Sequence, residues 1–297
     1  LPDLAIKRKK VIDTFVNVLE KFDFVPIETP VIEFADTLTG KYGEEERLIY
    51  KFTDRGDRNL ALRYDLTVPL ARFVATYQSK LKFPFRRYQI GQVFRGENPQ
   101  HGRYREFTQF DFDTVGLPRR ADEASSDNNE EDAKIVATAI KCVHAVGLKN
   151  AQVAINDRNN FKDIPLEVVR ALDKIHKIGT KGVEEELAQK GISKDKIQKY
   201  ISITNHCTPT KKLEDLFVNL SKKYDLLINQ DFIFDPTLAR GLDYYTGAIF
   251  ELRPDSNPQS LSIGAGGRYD NLIGMFSKKP FPATGFSFGL DRIIILI

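Results

Sequence analysis

The chain contains few of the residues that build metal centres and disulfide frameworks. Its 297 residues include only two cysteines, Cys142 and Cys207, which are far apart and form no CxxC pair, and its four histidines are scattered. Structural zinc sites use four closely placed cysteine or histidine ligands, and disulfide frameworks need several cysteines. We therefore expect neither a zinc site nor a disulfide scaffold.

Long hydrophobic runs are also missing. Runs such as the closing IIILI are far shorter than the roughly 20 residues that a membrane-spanning helix needs. No charged segment followed by an apolar one opens the chain, as it would in a secretory leader. We expect a cytoplasmic protein that has no contact with a membrane.

Charge of one sign is not in excess. The chain has 44 basic and 41 acidic residues, which gives a net charge of +3. This balance does not indicate a surface that holds nucleic acid through its overall charge. Any contact with a polyanion would have to be local.

Two common phosphate-binding loops are absent. There is no GxxxxGK[ST], and the glycine cluster GAGGRYD has a tyrosine where a dinucleotide fingerprint needs its third glycine. A bound nucleotide would therefore be held by side chains.

The residues that are present indicate a folded core. The chain is 41% hydrophobic and 29% charged, and no period of 20 to 50 residues repeats. Apolar spacing predicts a helix over 6–22 and a second helix in EEDAKIVATAIKCVHAVGL that ends at Gly147. FVPIETPVIE is predicted to be extended, and ALRYDLTVPLARFVA is predicted to change from strand to helix.

The composition and the hydrophobic periodicity change twice in the later part of the chain. A Lys-rich, helical pattern over 159–230 predicts a helical insertion, and strands are predicted at AQVAIND before it and at DFIFD, GAIFEL and SLSIG after it. The final ATGFSFGLDRIIILI predicts a strand followed by a helix. We expect an α+β fold with a mostly antiparallel sheet flanked by helices, divided into 1–158, the insertion 159–230, and 231–297.

Two long strands, 84–96 and 105–116, are predicted to form an antiparallel hairpin with an extended tip. Alternate residues of a strand share a face, so Gln109, Asp111 and Asp113 point one way and the phenylalanines between them point the other way. The hairpin also carries five arginines: Arg86, Arg87, Arg95, Arg103 and Arg105. Such a polar face suits a ligand with an anionic phosphate and a cationic amine.

A solvated hairpin whose charges pair with one another is the alternative, and it is the commoner case for an arbitrary antiparallel strand. Two features weigh against it. Carboxylates recur at Asp65 and Asp243, and arginines recur at Arg240 and Arg292, beside glycine or where a strand meets a turn.

Several motifs resemble one family. FRGENPQHGRYREFTQFDFD resembles motif 2 of class II aminoacyl-tRNA synthetases, GFSFGLDRI resembles their motif 3, and FVPIETPVIE is similar to motif 1. RGLDYYTGAIFE and GAGGRYDNLIG resemble the two histidine motifs of histidyl-tRNA synthetases, and LRYDLTVPLARF resembles that family's amino-acid-binding segment. The motifs occur in the family's order, and the class I signatures HIGH and KMSKS are absent.

The resemblance implies histidine activation with ATP, followed by transfer of histidine to the 3′ end of its tRNA. It implies an ATP site formed by Arg95, Glu97, Arg103, Tyr104, Phe107 and Arg292, in which Phe107 and Arg292 stack on opposite faces of adenine. It implies a histidine site formed by Asp65, Thr67, Arg95, Gln109, Asp113, Arg240, Tyr245, Gly266, Gly267 and Tyr269.

Within these sets the resemblance implies two catalytic arginines. Arg95 would hold the α-phosphate and the histidine carboxylate, since a guanidinium matches two oxygens in one plane. Arg240 would stabilise the charge that develops on the α-phosphate, where many class II relatives use a further metal ion. Mg²⁺ would accompany the β- and γ-phosphates with no site fixed by protein side chains. Asp243 is left outside the catalytic set.

The resemblance also implies a homodimer that forms through the motif 1 region. Because the chain stops directly after motif 3, we expect the C-terminal anticodon-binding domain to be absent. Two readings without synthetase activity share the fold: the regulatory paralogue of ATP phosphoribosyltransferase, and an RNA-sensing domain of a kinase. The presence of Arg95, Arg240 and Arg292 favours the enzyme.

Overall fold

The structure is a computed structural model that describes residues 1–98, 104–116, 129–239, 244–277 and 279–297, without the side chain of Glu44. Within these residues the α-helices are α1 Pro2–Lys21, α2 Ala35–Leu38, α3 Thr67–Tyr77, α4 Asn129–Ala145, α5 Leu166–Leu172, α6 Ile175–Gln189, α7 Lys194–His206, α8 Lys211–Tyr224 and α9 Leu290–Leu296. The strands are β1 Val25–Pro26, β2 Ile32–Phe34, β3 Lys51–Thr53, β4 Asn59–Leu62, β5 Phe85–Phe94, β6 Glu106–Val115, β7 Gln152–Asp157, β8 Phe232–Phe234, β9 Ala248–Arg253, β10 Gly264–Arg268 and β11 Ala283–Gly289.

Eight strands form the main sheet in the order β1-β5-β6-β11-β10-β9-β7-β8. Only the outer pairs, β1 with β5 and β7 with β8, are parallel, and the five pairs between them are antiparallel. The predicted mostly antiparallel sheet and the β5–β6 hairpin are therefore confirmed.

Strand β6 shows the alternation that the sequence predicts. Phe110 and Phe112 are fully buried and pack in a hydrophobic core with residues of α1 and α4. Gln109 and Asp113 lie on the opposite face, which lines a cleft. The apolar face fixes the strand against the helices, and it thereby directs the polar face into the cleft.

One predicted strand is wrong. SLSIG was expected to be the strand, followed by the glycine cluster, but the strand is Gly264–Arg268, which lies in the glycine cluster itself. Glycine has a low intrinsic strand preference, so the local pattern favours a loop. Pairing with β9 on one side and β11 on the other overrides this preference.

A second, three-stranded sheet has the order β2-β4-β3. Helix α3 follows β4 as predicted, and its first turn is capped by Asp65, whose Oδ1 accepts hydrogen bonds from the backbone N–H groups of Thr67 and Val68. An acidic cap satisfies free N–H groups and complements the helix dipole. The cap holds the Asp65 carboxylate at the edge of the cleft.

The predicted helical region contains two kinds of packing. Helices α5, α6 and α7 share a core of their own, which includes Val168, Leu187 and Ile197. Helix α8 instead packs on α4, and its Leu213 and Leu220 belong to the main core. Among the helices described, none combines the length and the hydropathy that a bilayer-crossing segment requires.

Candidate active site

A cleft of about 700 Å³ opens over the polar face of the main sheet. Twelve residues that the sequence assigned to a site line it: Asp65, Thr67, Arg95, Glu97, Tyr104, Phe107, Gln109, Asp113, Tyr245, Gly266, Tyr269 and Arg292. Arg103 and Arg240, together with Gly241 and Asp243, lie outside the described residues. The volume is in the range of small-molecule sites.

Asp113 lies at the floor of the cleft and is almost fully buried. Its Oδ1 accepts a short hydrogen bond from the Tyr269 hydroxyl, and its Oδ2 lies 2.6 Å from Nη2 of Arg87. Burial raises the pKa of Asp113, while Arg87 and the Tyr269 hydrogen bond act in the opposite direction. The carboxylate is thereby fixed between a cation and a phenol.

Asp65 presents a second carboxylate to the same cleft. Besides the two backbone groups of α3, the Tyr42 hydroxyl donates to its Oδ1 at 2.9 Å. Burial raises the pKa of Asp65, and the three hydrogen bonds and Arg95 oppose this effect. Because all three bonds end on Oδ1, Oδ2 is the oxygen that can serve a ligand.

The two polar atoms of the Gln109 side-chain amide differ in their hydrogen bonding. Its Nε2 donates to the Ser287 hydroxyl at 2.8 Å, whereas its buried Oε1 accepts no hydrogen bond from the described residues. A buried acceptor without a donor is costly, so it indicates a ligand donor at this point.

Arg95 lies between two aromatic rings. Its guanidinium carbon is 4.3 Å from the ring centroid of Tyr64 and 5.0 Å from that of Phe107, and its Nε donates to the Tyr64 carbonyl at 3.2 Å. Stacking on aromatic faces restrains the guanidinium without using all of its donors. Arg95 therefore presents donors to the cleft from a defined position.

Phe107 faces the cleft, as its parity with Gln109 predicts. One partner of its ring is the Arg95 guanidinium. Arg292 lines the cleft from α9, and its Nη1 donates a hydrogen bond to the Ser262 carbonyl at 2.8 Å. The adenine sandwich between Phe107 and Arg292 stays a prediction.

The Tyr245 ring packs closely against the backbone of β10 because Gly267 has no side chain. A Cβ on Gly267 would lie 2.8 Å from two carbons of the Tyr245 ring, closer than real contacts allow. Gly267 therefore leaves the space that the Tyr245 ring occupies, whereas Gly266 lines the cleft.

Comparison with known proteins identifies the family of the chain. Residues 1–293 match the profile of the family described as histidyl-tRNA synthetase. A protein named histidine–tRNA ligase from Aeropyrum pernix is 40% identical, and the alignment covers 99% of this chain and 71% of that protein. One of the same name from Helicobacter pylori is 38% identical, with 100% and 72% covered. The chain belongs to the histidyl-tRNA synthetase family.

Solved structures extend the comparison to the fold. A histidyl-tRNA synthetase from a Nostoc species has a TM-score of 0.77 at 28% identity, over 97% of this chain and 71% of that one. A Bacillus halodurans protein titled as an ATP phosphoribosyltransferase regulatory subunit/histidyl-tRNA synthetase has a TM-score of 0.78, over 99% of this chain and 80% of that one. At 22% identity the second likeness shows the shared fold alone. The expected fold of histidyl-tRNA synthetases is thereby confirmed.

The structure adds residues that the motif comparison did not assign. Arg87 and Gly285 flank Asp113 on the neighbouring strands, Ser287 holds Gln109, and Tyr42 holds Asp65. Strand parity and register could have placed Arg87 and Ser287 on the cleft face. Tyr42 comes from a distant loop, and no local pattern indicates its contact.

The helical region forms another side of the cleft. Seven polar or charged residues of α5, α6 and the turn between them line it: Glu167, Arg170, Asp173, Lys174, His176, Lys177 and Glu186. In this member of the histidyl-tRNA synthetase family, the helical region therefore lies close to the cleft. Its residues are far from the hairpin in sequence, and their position could not be predicted from the motifs.

Proposed function

We propose that this chain activates histidine with ATP to give histidyl-adenylate and pyrophosphate, and then transfers histidine to the 3′ end of its tRNA. The observation that carries the proposal is the cleft itself, in which an arginine, two carboxylates and an amide oxygen that lacks a donor among the described residues converge. This set matches a substrate pair with an anionic phosphate, a carboxylate and an ammonium group. Membership of the histidyl-tRNA synthetase family supports it.

Asp65, Thr67 and Gln109 receive the α-ammonium of histidine in this proposal. The support is the orientation of two acceptors: Oδ2 of Asp65 is outside the capping bonds, and Oε1 of Gln109 lacks a donor among the described residues. A cationic amine satisfies both acceptors and offsets their desolvation.

Asp113 and Tyr245 contact the imidazole, and Tyr269 and the backbone of Gly266 and Gly267 close the pocket. The support is the rigid placement of Asp113 and the position of Tyr245 on Gly267. An apolar analogue of histidine would leave these buried polar groups unpaired, which can give discrimination of about 10⁴ to 10⁵.

Arg95 holds the α-phosphate and the histidine carboxylate, and Glu97, Arg103, Tyr104, Phe107 and Arg292 complete the ATP site. Activation is an in-line attack of the carboxylate on the α-phosphorus, which places extra negative charge on the non-bridging oxygens. Arg240 stabilises that charge. Mg²⁺ binds with the phosphates, since this ion keeps several waters and needs no protein cage.

We propose that two copies of the chain associate through the small sheet. Ile32, Phe34 and Phe52 are 48%, 58% and 41% exposed. Phe34 and Phe52 both pair with Leu60, and Ile32 is two residues from Phe34 on the same strand, so Ile32, Phe34 and Phe52 lie on one face of the small sheet. A contiguous exposed apolar face is typical of an interface. Ile32 lies in the motif 1 segment FVPIETPVIE and Phe34 follows that segment, so a second copy of the chain is the occupant that fits.

The acceptor end of tRNA is proposed to enter from the side where α5 and α6 line the cleft. The two helices and the turn between them contribute Arg170, Lys174 and Lys177 to the lining, and cationic side chains suit the phosphates of an acceptor strand. The division at 159 and 230 stays a proposal.

Exchange of labelled pyrophosphate into ATP tests the proposed function. We expect exchange with histidine and Mg²⁺ and none with the other amino acids. Histidine binding without exchange would instead support the regulatory paralogue of ATP phosphoribosyltransferase. If the chain neither bound histidine nor catalysed exchange, the proposal would be overturned.

A further inference from the structure

Arg87 is a fully buried arginine in the middle of β5, directly opposite Asp113 on β6. Its Nη2 lies 2.6 Å from Asp113 Oδ2 and 3.4 Å from the Leu66 carbonyl, which it donates to. Its Nε and Nη1 have no hydrogen-bond partner among the described residues. A guanidinium is not deprotonated in a protein, so a full positive charge lies beneath the cleft.

One oxygen of Asp113 accepts the hydrogen bond from Tyr269, and the other lies at ion-pair distance from Arg87 but accepts no hydrogen bond from the described residues. Its charge is therefore compensated before any substrate binds. A carboxylate in this state still accepts a hydrogen bond from a neutral N–H group. It offers much less to a second cation, because that cation would also be repelled by Arg87.

The other ionisable groups around Asp113 do not restore a net negative charge below neutral pH. Asp111 is two residues away on the same face, and burial raises its pKa to about 7. Tyr269 stays neutral, because burial raises the pKa of its phenol further. Asp65, which directly precedes the first turn of α3, lies in the same cleft as Asp113. The positive charge of Arg95 opposes the rise in the pKa of Asp65 and compensates its negative charge. Tyr245 lines the same cleft, and β11 contributes only Gly285 opposite Asp113.

We propose that the pocket selects histidine with a neutral imidazole ring, and that Arg87 is the residue that determines this selection by compensating the charge of Asp113. The proposal rests on the proposed function, since it places the imidazole beside Asp113. Arg87 acts through Asp113 and is a positioning and specificity residue. Without Arg87, the Asp113 carboxylate would be uncompensated and would favour the imidazolium form.

The test compares histidine with 1,2,4-triazol-3-ylalanine, whose ring stays neutral in the same pH range. We measure kcat/KM for each amino acid in pyrophosphate exchange between about pH 5.5 and 7.5, and we take the ratio of histidine to the triazole. The ratio cancels titrations of enzyme groups that both substrates share. With an ordinary imidazole pKa of about 6.5, the ratio is expected to fall about tenfold from the upper to the lower pH.

The variants separate charge from packing. In Arg87→Met the fall is expected to shrink to less than about twofold or to reverse, because Arg87 no longer lowers the pKa of Asp113 and the extra proton is then held between the Asp113 carboxyl and the imidazole. Arg87→Lys keeps the charge and is expected to keep the wild-type pH profile even where its activity is lower. Arg86→Met is the matched control: Arg86 precedes Arg87 on β5 but pairs with Glu131 on the other face, so the profile is expected not to change.

Two results would overturn the inference: a wild-type ratio that stays constant with pH, or an Arg87→Met ratio that falls as much as the wild-type ratio. The triazole comparison needs no variant, so it decides whether the pocket selects the neutral ring even if Arg87→Met fails to fold. In that case Arg87→Gln, which keeps a polar side chain without the charge, tests the role of Arg87 by the same ratio. Absence of histidine-dependent exchange near pH 8 would instead refute the proposed function, which keeps the two failures distinct.

Discussion

Replacing Gly285 with alanine tests how closely the sheet is fitted to Asp113. A Cβ at Gly285 would lie 1.8 Å from Oδ1 and 2.5 Å from Cγ of Asp113, distances that no real contact shows. The carboxylate would have to move away from Arg87 and Tyr269. Breaking a buried ion pair costs about 3 to 5 kcal/mol, because it leaves an uncompensated charge.

That cost is divided between folding and histidine binding. If half of it, about 2 kcal/mol, appears in binding, KM for histidine rises about 30-fold, while KM for ATP changes by less than about threefold. The assay is pyrophosphate exchange at saturating ATP, with thermal unfolding measured in parallel. We expect the melting temperature to fall as well.

Gly289→Ala provides the control. Gly289 is on the same strand and the same face, but a Cβ there would make only ordinary contacts, at 3.6 Å from Arg292 Cδ and from the Ile263 carbonyl. We expect the control to retain the wild-type histidine KM and stability. If Gly285→Ala had the same histidine KM as Gly289→Ala, the idea that Gly285 makes room for Asp113 would be refuted.

Three further predictions concern stability, rate and assembly. Because burial raises the pKa of Asp111 to about 7, the folded state loses stability as pH rises from about 4 to 7. Asp111→Asn should therefore raise the free energy of unfolding at pH 8 by up to about 4 kcal/mol, measured by urea titration, and should give no gain below about pH 4. Arg240→Ala should lower the single-turnover adenylation rate about 10² to 10³-fold with smaller changes in substrate affinity, and an unchanged rate would assign Arg240 to ground-state binding. Phe34→Glu should convert a dimer to a monomer in sedimentation experiments, whereas Val218→Glu, at an exposed apolar site on α8, should not.

The local patterns predicted much of the fold. Period-two alternation placed Gln109 and Asp113 on one face of β6 and Phe110 and Phe112 on the other, and the structure confirms this arrangement. Such patterns work because burial of one face decides the orientation of every residue in the strand. The strand at Gly264–Arg268 was missed because its formation depends on pairing at both edges, which local preference does not contain.

The candidate site was predicted less completely than the fold. Family resemblance named residues of the cleft such as Asp65 and Asp113, but it did not name the residues that hold them. The contact of Tyr42 with Asp65 spans 23 positions, and Gly285 meets Asp113 only through the register of β11 against β6. These supporting contacts depend on the tertiary arrangement, so they become visible only when the strands are placed side by side.

Recognition of histidine by Asp113 is the step on which the proposed activity of this cleft depends most. The most direct measurement is histidine-dependent pyrophosphate exchange by wild type and by Asp113→Asn, a change that keeps the size of the side chain and removes its charge. We predict exchange with histidine alone in the wild type, and a KM for histidine at least about 30-fold higher in the variant, about 2 kcal/mol, with a nearly unchanged KM for ATP. Wild-type histidine affinity in Asp113→Asn, or wild-type exchange with several amino acids, would contradict the account.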